Sequence, residues 1–363
     1  MRKISLYIHI PFCVKKCAYC DFASYAGRYA DIGRYMNCLE DEFKSANARY
    51  GKLDVSTVFI GGGTPSILQS DEIMRLMAMA RRFFHIEDDA EITIEANPGT
   101  VDAHKLRDYR ASGINRLSFG MQASGERLLN LMGRVHNHTQ TVQAVSMARD
   151  AGFKNINLDL IYAFPTQTMK EWVDTVTAAV SLKPEHLSMY SLIIEEGTEV
   201  CTSVQSGELS GQDDDTCVNM RAAAGRIVAN RGYGRYEISN YARPGFECRH
   251  NIVYWQRSEY LGIGCAAHSF MEGYRFGNTP DLDAYLSGDR EITREKVTDT
   301  SAREEEIMLA TRMKRGVDIS LVEGKSEEIA GLEAMGLVTV NNSRLSLTDK
   351  GMDVQNAVVM RLI

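Results

Sequence analysis

Long apolar runs are missing from this chain. None approaches the ~18 consecutive residues that a membrane-spanning helix needs, and no signal-peptide pattern opens the sequence. An excess of basic charge is missing too. Lys and Arg total 41 against 48 Asp and Glu, a net charge of −7, which argues against the basic footprint of a nucleic-acid binder. Eight cysteines in 363 residues are too sparse for a disulfide scaffold. There is no low-complexity tract. What remains is 44% hydrophobic and 25% charged residues, an ordinary composition for one large globular domain or two. The cytoplasm is the expected setting, with peripheral attachment to a membrane left open.

Three of the cysteines stand together. Cys13, Cys17 and Cys20 follow the apolar run 4–10 with C-x3-C-x2-C spacing. Three thiolates from one loop can hold three irons of a cubane iron–sulfur cluster. Full cysteine ligation takes four, so the fourth iron would be open to another ligand. A zinc ion held by the trio plus His9 or Asp21 is an alternative, although zinc knuckles favour C-x2-C pairs. A chance group of buried thiols is another.

Up to about residue 195, short β-rich runs alternate with helical periods. Strands are expected near 4–10, 57–60, 91–95, 116–120, 155–160 and 187–192, with helices near 34–48, 70–84, 101–112, 139–151 and 170–181. Repeated βα units mean a parallel sheet, and six of them make a partial (β/α)6 barrel whose functional residues belong at the carboxyl ends of the strands. The cysteine loop, Gly61-Gly62-Gly63-Thr64-Pro65, Glu95-Ala96-Asn97-Pro98-Gly99, Gly120-Met121-Gln122 and Asp159 all fall at that end. Any one of them reads as a tight turn; five in one register do not. After residue 195 the texture changes. Asp213-Asp214-Asp215 caps an expected helix over 214–230, 232–241 reads as a strand with a turn, and 247–277 reads as irregular. From residue 301 the pattern is helical, then a hairpin around Asn341-Asn342-Ser343, as in a winged-helix-like module. The expected division is 1–195, 196–300 and 301–363: an α/β partial barrel, an α+β extension and the module.

The cysteine loop, the Gly-Gly-Gly-Thr-Pro turn, the Glu-Ala-Asn-Pro strand end, Ser118-Phe119-Gly120-Met121-Gln122 and Asn157-Leu158-Asp159-Leu160-Ile161-Tyr162 together resemble the radical S-adenosylmethionine superfamily. More narrowly, the chain resembles the oxygen-independent coproporphyrinogen III oxidase family, and within it the heme chaperone branch. Three features point to that branch. Phe22 stands where the oxidases carry a further cysteine, the cluster strand begins without the oxidases' preceding extension, and His250-Asn251-Ile252-Val253-Tyr254-Trp255 matches an H-N-x-x-Y-W motif associated there with heme.

The resemblance implies a [4Fe–4S] cluster on Cys13, Cys17 and Cys20, with S-adenosylmethionine chelating the open iron and able to yield a 5′-deoxyadenosyl radical on reduction. It places Gly62, Gly63 and Thr64 at the methionine amino group, Tyr7 and Tyr19 beside the cluster and adenine, and Glu95 on the ribose hydroxyls or the amino group. Gln122, Arg134 and Asp159 match positions that meet a second S-adenosylmethionine in the oxidases; a barrel-floor ion pair for Asp159 and a solvated charge for Arg134 are the plainer readings. His250 is the expected axial heme ligand, with Asn251, Tyr254 and Trp255 completing the motif and His268 and Cys248 as alternatives. The plainer reading is that the motif fills an interdomain seam. The implied function is a heme chaperone that serves a respiratory membrane acceptor and draws on a reductant protein or quinol; a homodimer is compatible with it. The alternative is radical decarboxylation of coproporphyrinogen III.

Overall fold

The computed structural model describes residues 2–363. Strands β1 (Lys3–Ile10), β2 (Asp54–Gly62), β3 (His85–Ala96), β4 (Arg116–Gln122), β5 (Ile156–Tyr162) and β6 (His186–Ser191) pair in that order, each parallel to the next. Parallel neighbours cannot be joined by a tight hairpin. The connections cross over through α1 (Ile32–Tyr50), α2 (Ser70–Phe83), α3 (Ala103–Ala111), α4 (Glu126–Leu131), α5 (His138–Asp150) and α6 (Met169–Ser181). The expected α/β partial barrel is what the chain forms, with α4 as an unforeseen extra helix between β4 and α5.

Alternation along the strands sets the two faces. In β1, Ile4, Leu6, Ile8 and Ile10 are buried in the main hydrophobic core, while Ser5, Tyr7 and His9 take the opposite, inner face. The neighbours continue that inner face in register. Ser5 pairs with Thr57, Thr57 with Glu91, Thr93 with Arg116, Glu95 with Ser118, Gly120 with Asp159, and Asp159 with Ser188. A strand buried on both faces normally reads as continuous hydrophobics. Polar residues at every second position therefore mark a lined interior.

The sheet is wider than six strands. Residues 196–300 extend both of its edges to twelve. On one edge β7 (Tyr260–Ile263) runs parallel to β1 and leads into an antiparallel meander of β8 (His268–Met271), β9 (Tyr274–Asn278) and β10 (Glu291–Lys296). On the other, Asn240–Ala242 pairs antiparallel with β6. The region 247–277, expected to be irregular, thus holds three strands and the helix α9 (Arg249–Trp255), reached through α7 (Glu199–Gln205) and α8 (Asp214–Ala229). Its elements are four to seven residues long, too short for a period to show in sequence. Asp213 caps α8 as expected, accepting from the Thr216 amide at 2.6 Å.

The C-terminal residues form their own core around Ile307, Leu332, Leu345 and Val358. The hairpin of Val338–Asn341 and Arg344–Leu347 turns at Asn342 and Ser343, both with positive φ (50° and 60°), as a two-residue hairpin turn requires. No described helix is long and apolar enough to cross a membrane.

Candidate functional site

The cysteine loop is built by pairing, not left free. Gly63 N–H donates to Ile10 O at 2.9 Å and Thr64 N–H to Phe12 O at 2.8 Å, so the glycine turn prolongs the β1–β2 pairing up to Cys13. Beyond Cys17 the loop is tied twice more: Ala18 N–H to Met132 O after α4 (3.1 Å), and Val200 N–H in α7 to Ala18 O (2.9 Å). Ala18, Leu128, Leu129, Met132, Phe164 and Val200 form a small apolar cluster beneath it. Helix α4 and the start of α7 thereby fix where the thiols stand.

The glycines answer to contacts within the protein. Gly62 has φ +112° and a Cβ there would lie 2.5 Å from the His9 ring; a Cβ on Gly63 would lie 2.7 Å from Phe12 O and 3.1 Å from Cys13 Sγ. Gly62 N–H donates to Glu95 Oε2 at 3.1 Å. The three amides of Gly62, Gly63 and Thr64 thus all have partners in the chain.

A cavity of about 490 Å³ opens on the inner face at the carboxyl ends of the strands. Its wall includes Cys13, Cys17, Cys20, Tyr19, Gly62, Gly63, Thr64, Glu95, Gln122, Arg134 and Asp159, so these sequence-derived residues are brought together from widely separated parts of the chain. Tyr7 is not among them; it lies deeper, its hydroxyl 2.9 Å from His9 Nδ1. Cys13 is buried with Thr64 Oγ1 at 3.5 Å, and burial pushes the thiols of Cys13 and Cys20 up. Among the described residues no three His, Cys, Asp or Glu side chains are gathered tightly enough to chelate one ion.

The deep wall is electrostatically unusual. Burial, reinforced by the neighbouring Asp159 charge, pushes the Glu95 carboxyl up to about 8. Asp159 is also pushed up by burial, while Ser118 Oγ (2.8 Å) and Asn157 Nδ2 (2.9 Å) donate to it. Arg134 Nη1 donates to Cys17 Sγ at 3.3 Å and Nη2 to Gly120 O at 2.9 Å, so it is no solvated charge. Gln122 sits at φ +60°, a costly conformation for a side-chain-bearing residue, and its Oε1 is buried without a partner, as is Arg134 Nε. Unsatisfied buried polar atoms on a cavity wall fit a polar ligand. The donor set fits the implied cluster and nucleotide: three thiols on one loop, carboxylates for a cationic amino group and hydroxyls, and open amide and guanidinium positions.

Sequence reasoning missed Arg116, fully buried on the inner face, and assigned no role to Ser118 and Asn157 of the quoted motifs, which hold Asp159. The available signal was their place at alternate positions in strands that are otherwise apolar.

The H-N-x-x-Y-W residues go elsewhere. Helix α9 closes the amino ends of the strands, with Glu91 accepting from the amides of Arg249 (3.2 Å) and His250 (3.0 Å). His250 is 1% exposed. Its Nδ1 lies 2.7 Å from Thr57 Oγ1, whose own hydroxyl donates to Ser5 Oγ at 2.7 Å, so Nδ1 carries the proton. Nε2 is then the acceptor of the Tyr254 hydroxyl at 2.9 Å. Burial, with Arg116 nearby, pushes this imidazole down to about 3. The lone pair that iron would need is engaged inside the protein, so the structure does not present His250 as a free axial ligand. Trp255 packs under Arg312 of the C-terminal module, 4.3 Å from the guanidinium, in the interdomain position of the plainer reading. The Asn251 amide faces the Cys248 sulfur, which is buried and pushed up to about 12.

A parallel sheet carrying a three-cysteine loop at its carboxyl end defines the class: residues 7–179 match the Radical SAM superfamily, and residues 297–354 match the HemN C-terminal domain. The fold superposes on the Escherichia coli structure described as "Coproporphyrinogen III oxidase (HemN)", a radical SAM enzyme. The TM-score is 0.86 with 25% identity, covering 99% of this chain and 90% of that one. Curated relatives named heme chaperone HemW are similar along the full length. The Lactococcus lactis protein is 35% identical over 99% of this chain and 97% of its own. The Bacillus subtilis protein is 35% identical over 98% and 97%. The Escherichia coli protein is 40% identical over 73% of this chain and 69% of its own. The chain belongs to the radical SAM superfamily and, within it, to the HemN-like family that includes these HemW proteins.

Proposed function

We propose that this protein is a cytoplasmic heme chaperone that carries a [4Fe–4S] cluster, S-adenosylmethionine and heme, and passes the heme to a respiratory membrane acceptor. The observation that carries the reading is the full-length similarity, at 35% identity, to relatives named heme chaperones. Cys13, Cys17 and Cys20 would hold the cluster, which when bound supplies an electron to the sulfonium of S-adenosylmethionine. The chain's own residues bind and orient. Glu95 and Asp159 face the cationic and hydroxyl groups of the nucleotide, Gln122 Oε1 and Arg134 Nε offer unfilled positions, and Tyr19 and Arg134 flank Cys17. Reconstituted protein titrated anaerobically with hemin should give a stable Soret band at about one heme per chain; no uptake at stoichiometric hemin contradicts the proposal.

A second reading is favoured by the 0.86 TM-score to the oxidase and by the cavity wall that gathers Glu95, Gln122, Arg134 and Asp159. It makes the protein a radical decarboxylase of coproporphyrinogen III. An anaerobic assay with S-adenosylmethionine and reductant separates the two, because vinyl porphyrin appears only if the second is right.

A further inference from the structure

A second cleft, of about 310 Å³, lies on the other side of the cysteine loop, with Phe22 as a wall common to both cavities. Its lining is largely aromatic: Tyr7 from β1, Tyr254 from α9, Tyr260 from β7 and His268 from β8. Tyr254 and Tyr260 meet edge to face at 4.7 Å between ring centres, and His250 crosses Tyr254 at 5.1 Å on the far side. Phe22 is 65% exposed, so its ring is accessible from the cleft.

Two histidines reach this cleft, and only one is free. His9 is held through both nitrogens, by the Tyr7 hydroxyl at 2.9 Å and the Ala23 carbonyl at 3.0 Å. His268 is exposed, and neither of its nitrogens has a hydrogen-bond partner among the described residues. Its ring is nonetheless placed. It lies against the bare Cα of Gly277, where a Cβ would stand 2.7 Å from Nδ1. A fixed imidazole with a free lone pair, flanked by phenyl and phenol rings, is the chemistry that takes the iron of a planar metalloporphyrin.

We propose that heme docks in this cleft with His268 as its axial ligand and Phe22 and Tyr254 against the porphyrin. This rests on the chaperone reading above. On this assignment the H-N-x-x-Y-W helix serves heme indirectly: His250, accepting the Tyr254 hydroxyl, is a positioning residue that sets the ring the porphyrin meets. The cleft is too small to enclose a heme, so it grips one edge and leaves the other open for transfer.

The test titrates the anaerobically reconstituted full-length protein with hemin, following the Soret band and, after reduction, the iron–imidazole stretch in the resonance Raman spectrum. His268→Ala should weaken hemin at least tenfold and abolish the imidazole-ligated signal, and added free imidazole should restore that signal. Phe22→Ser should weaken binding while keeping the imidazole-ligated signal. Iron and sulfide content checks that both variants retain the cluster. If the parent protein binds hemin and His268→Ala does so with the same affinity and spectrum, the site assignment is overturned while the chaperone reading stands. If the parent protein takes up no hemin, both fail.

Discussion

At the scale of single residues, the cavity depends on where buried charge is tolerated. Glu95 ordinarily ionises near 4.5, yet inside the cavity it is held up at about 8. The unfolded chain therefore gives up this proton long before the folded one does. The associated stability is fully present below pH 4.5 and is lost as pH rises toward 8. Thermal melts of ligand-free protein should show wild type losing ground to Glu95→Gln across that window, by on the order of 5 kcal/mol. Asp159 and Arg116 share this environment, so the difference between the two proteins is the quantity to read. Cationic ligands reverse the trend: S-adenosylmethionine should bind wild type more tightly as pH rises to 8, and Glu95→Gln without that slope. His250 makes the opposite point. Because its imidazole stays neutral and bonded at both nitrogens, His250→Ala removes the hydrogen bonds it makes to Thr57 and Tyr254 and opens a buried cavity, which should cost about 2–4 kcal/mol in denaturant unfolding. A variant of unchanged stability would contradict the floor network. Sequence alone pointed to the residues of the first cavity, since cysteines, glycines and carboxylates at strand ends carry their chemistry in their type and position. It could not place His250 or Tyr7, whose partners depend on packing across the interior.

At the scale of elements, the glycine turn and the cysteine loop behave as one unit. Gly63→Ala sets a methyl group 2.7 Å from Phe12 O, and relief would have to come from the loop that carries Cys13. The variant should keep native far-ultraviolet circular dichroism while incorporating less than about half the iron of wild type on reconstitution, reflecting a strain of about 1–3 kcal/mol. Full iron loading would show that the loop yields freely. The long elements were legible in sequence: β1 starts one residue before its apolar run, and α6 starts one residue before its expected span and ends with it. Helix α9 was not legible. Seven residues do not establish a helical period, and its anchors Glu91 and Thr57 lie far away in the chain. Strands β7 to β9 escaped for a similar reason, being four or five residues long, with a glycine inside both β7 and β9.

At the scale of the whole molecule, residues after 195 do more than follow the barrel. They add a parallel strand beside β1, close the strand ends with α9, and through Trp255 and Arg312 brace the C-terminal module against that closure. The cysteine loop is left between two cavities, one lined by thiols, carboxylates and a guanidinium and one by aromatic rings. Everything in this arrangement presumes that the trio of thiols carries an iron–sulfur cube with one open corner. The decisive measurement is electron paramagnetic resonance of the anaerobically reconstituted, reduced protein, before and after S-adenosylmethionine, alongside iron, sulfide and zinc analysis. The account predicts about four irons and four sulfides per chain, a spectrum that shifts on adding S-adenosylmethionine, and loss of the signal in Cys17→Ala. One zinc per chain in place of iron, or a cluster spectrum indifferent to S-adenosylmethionine, would contradict it.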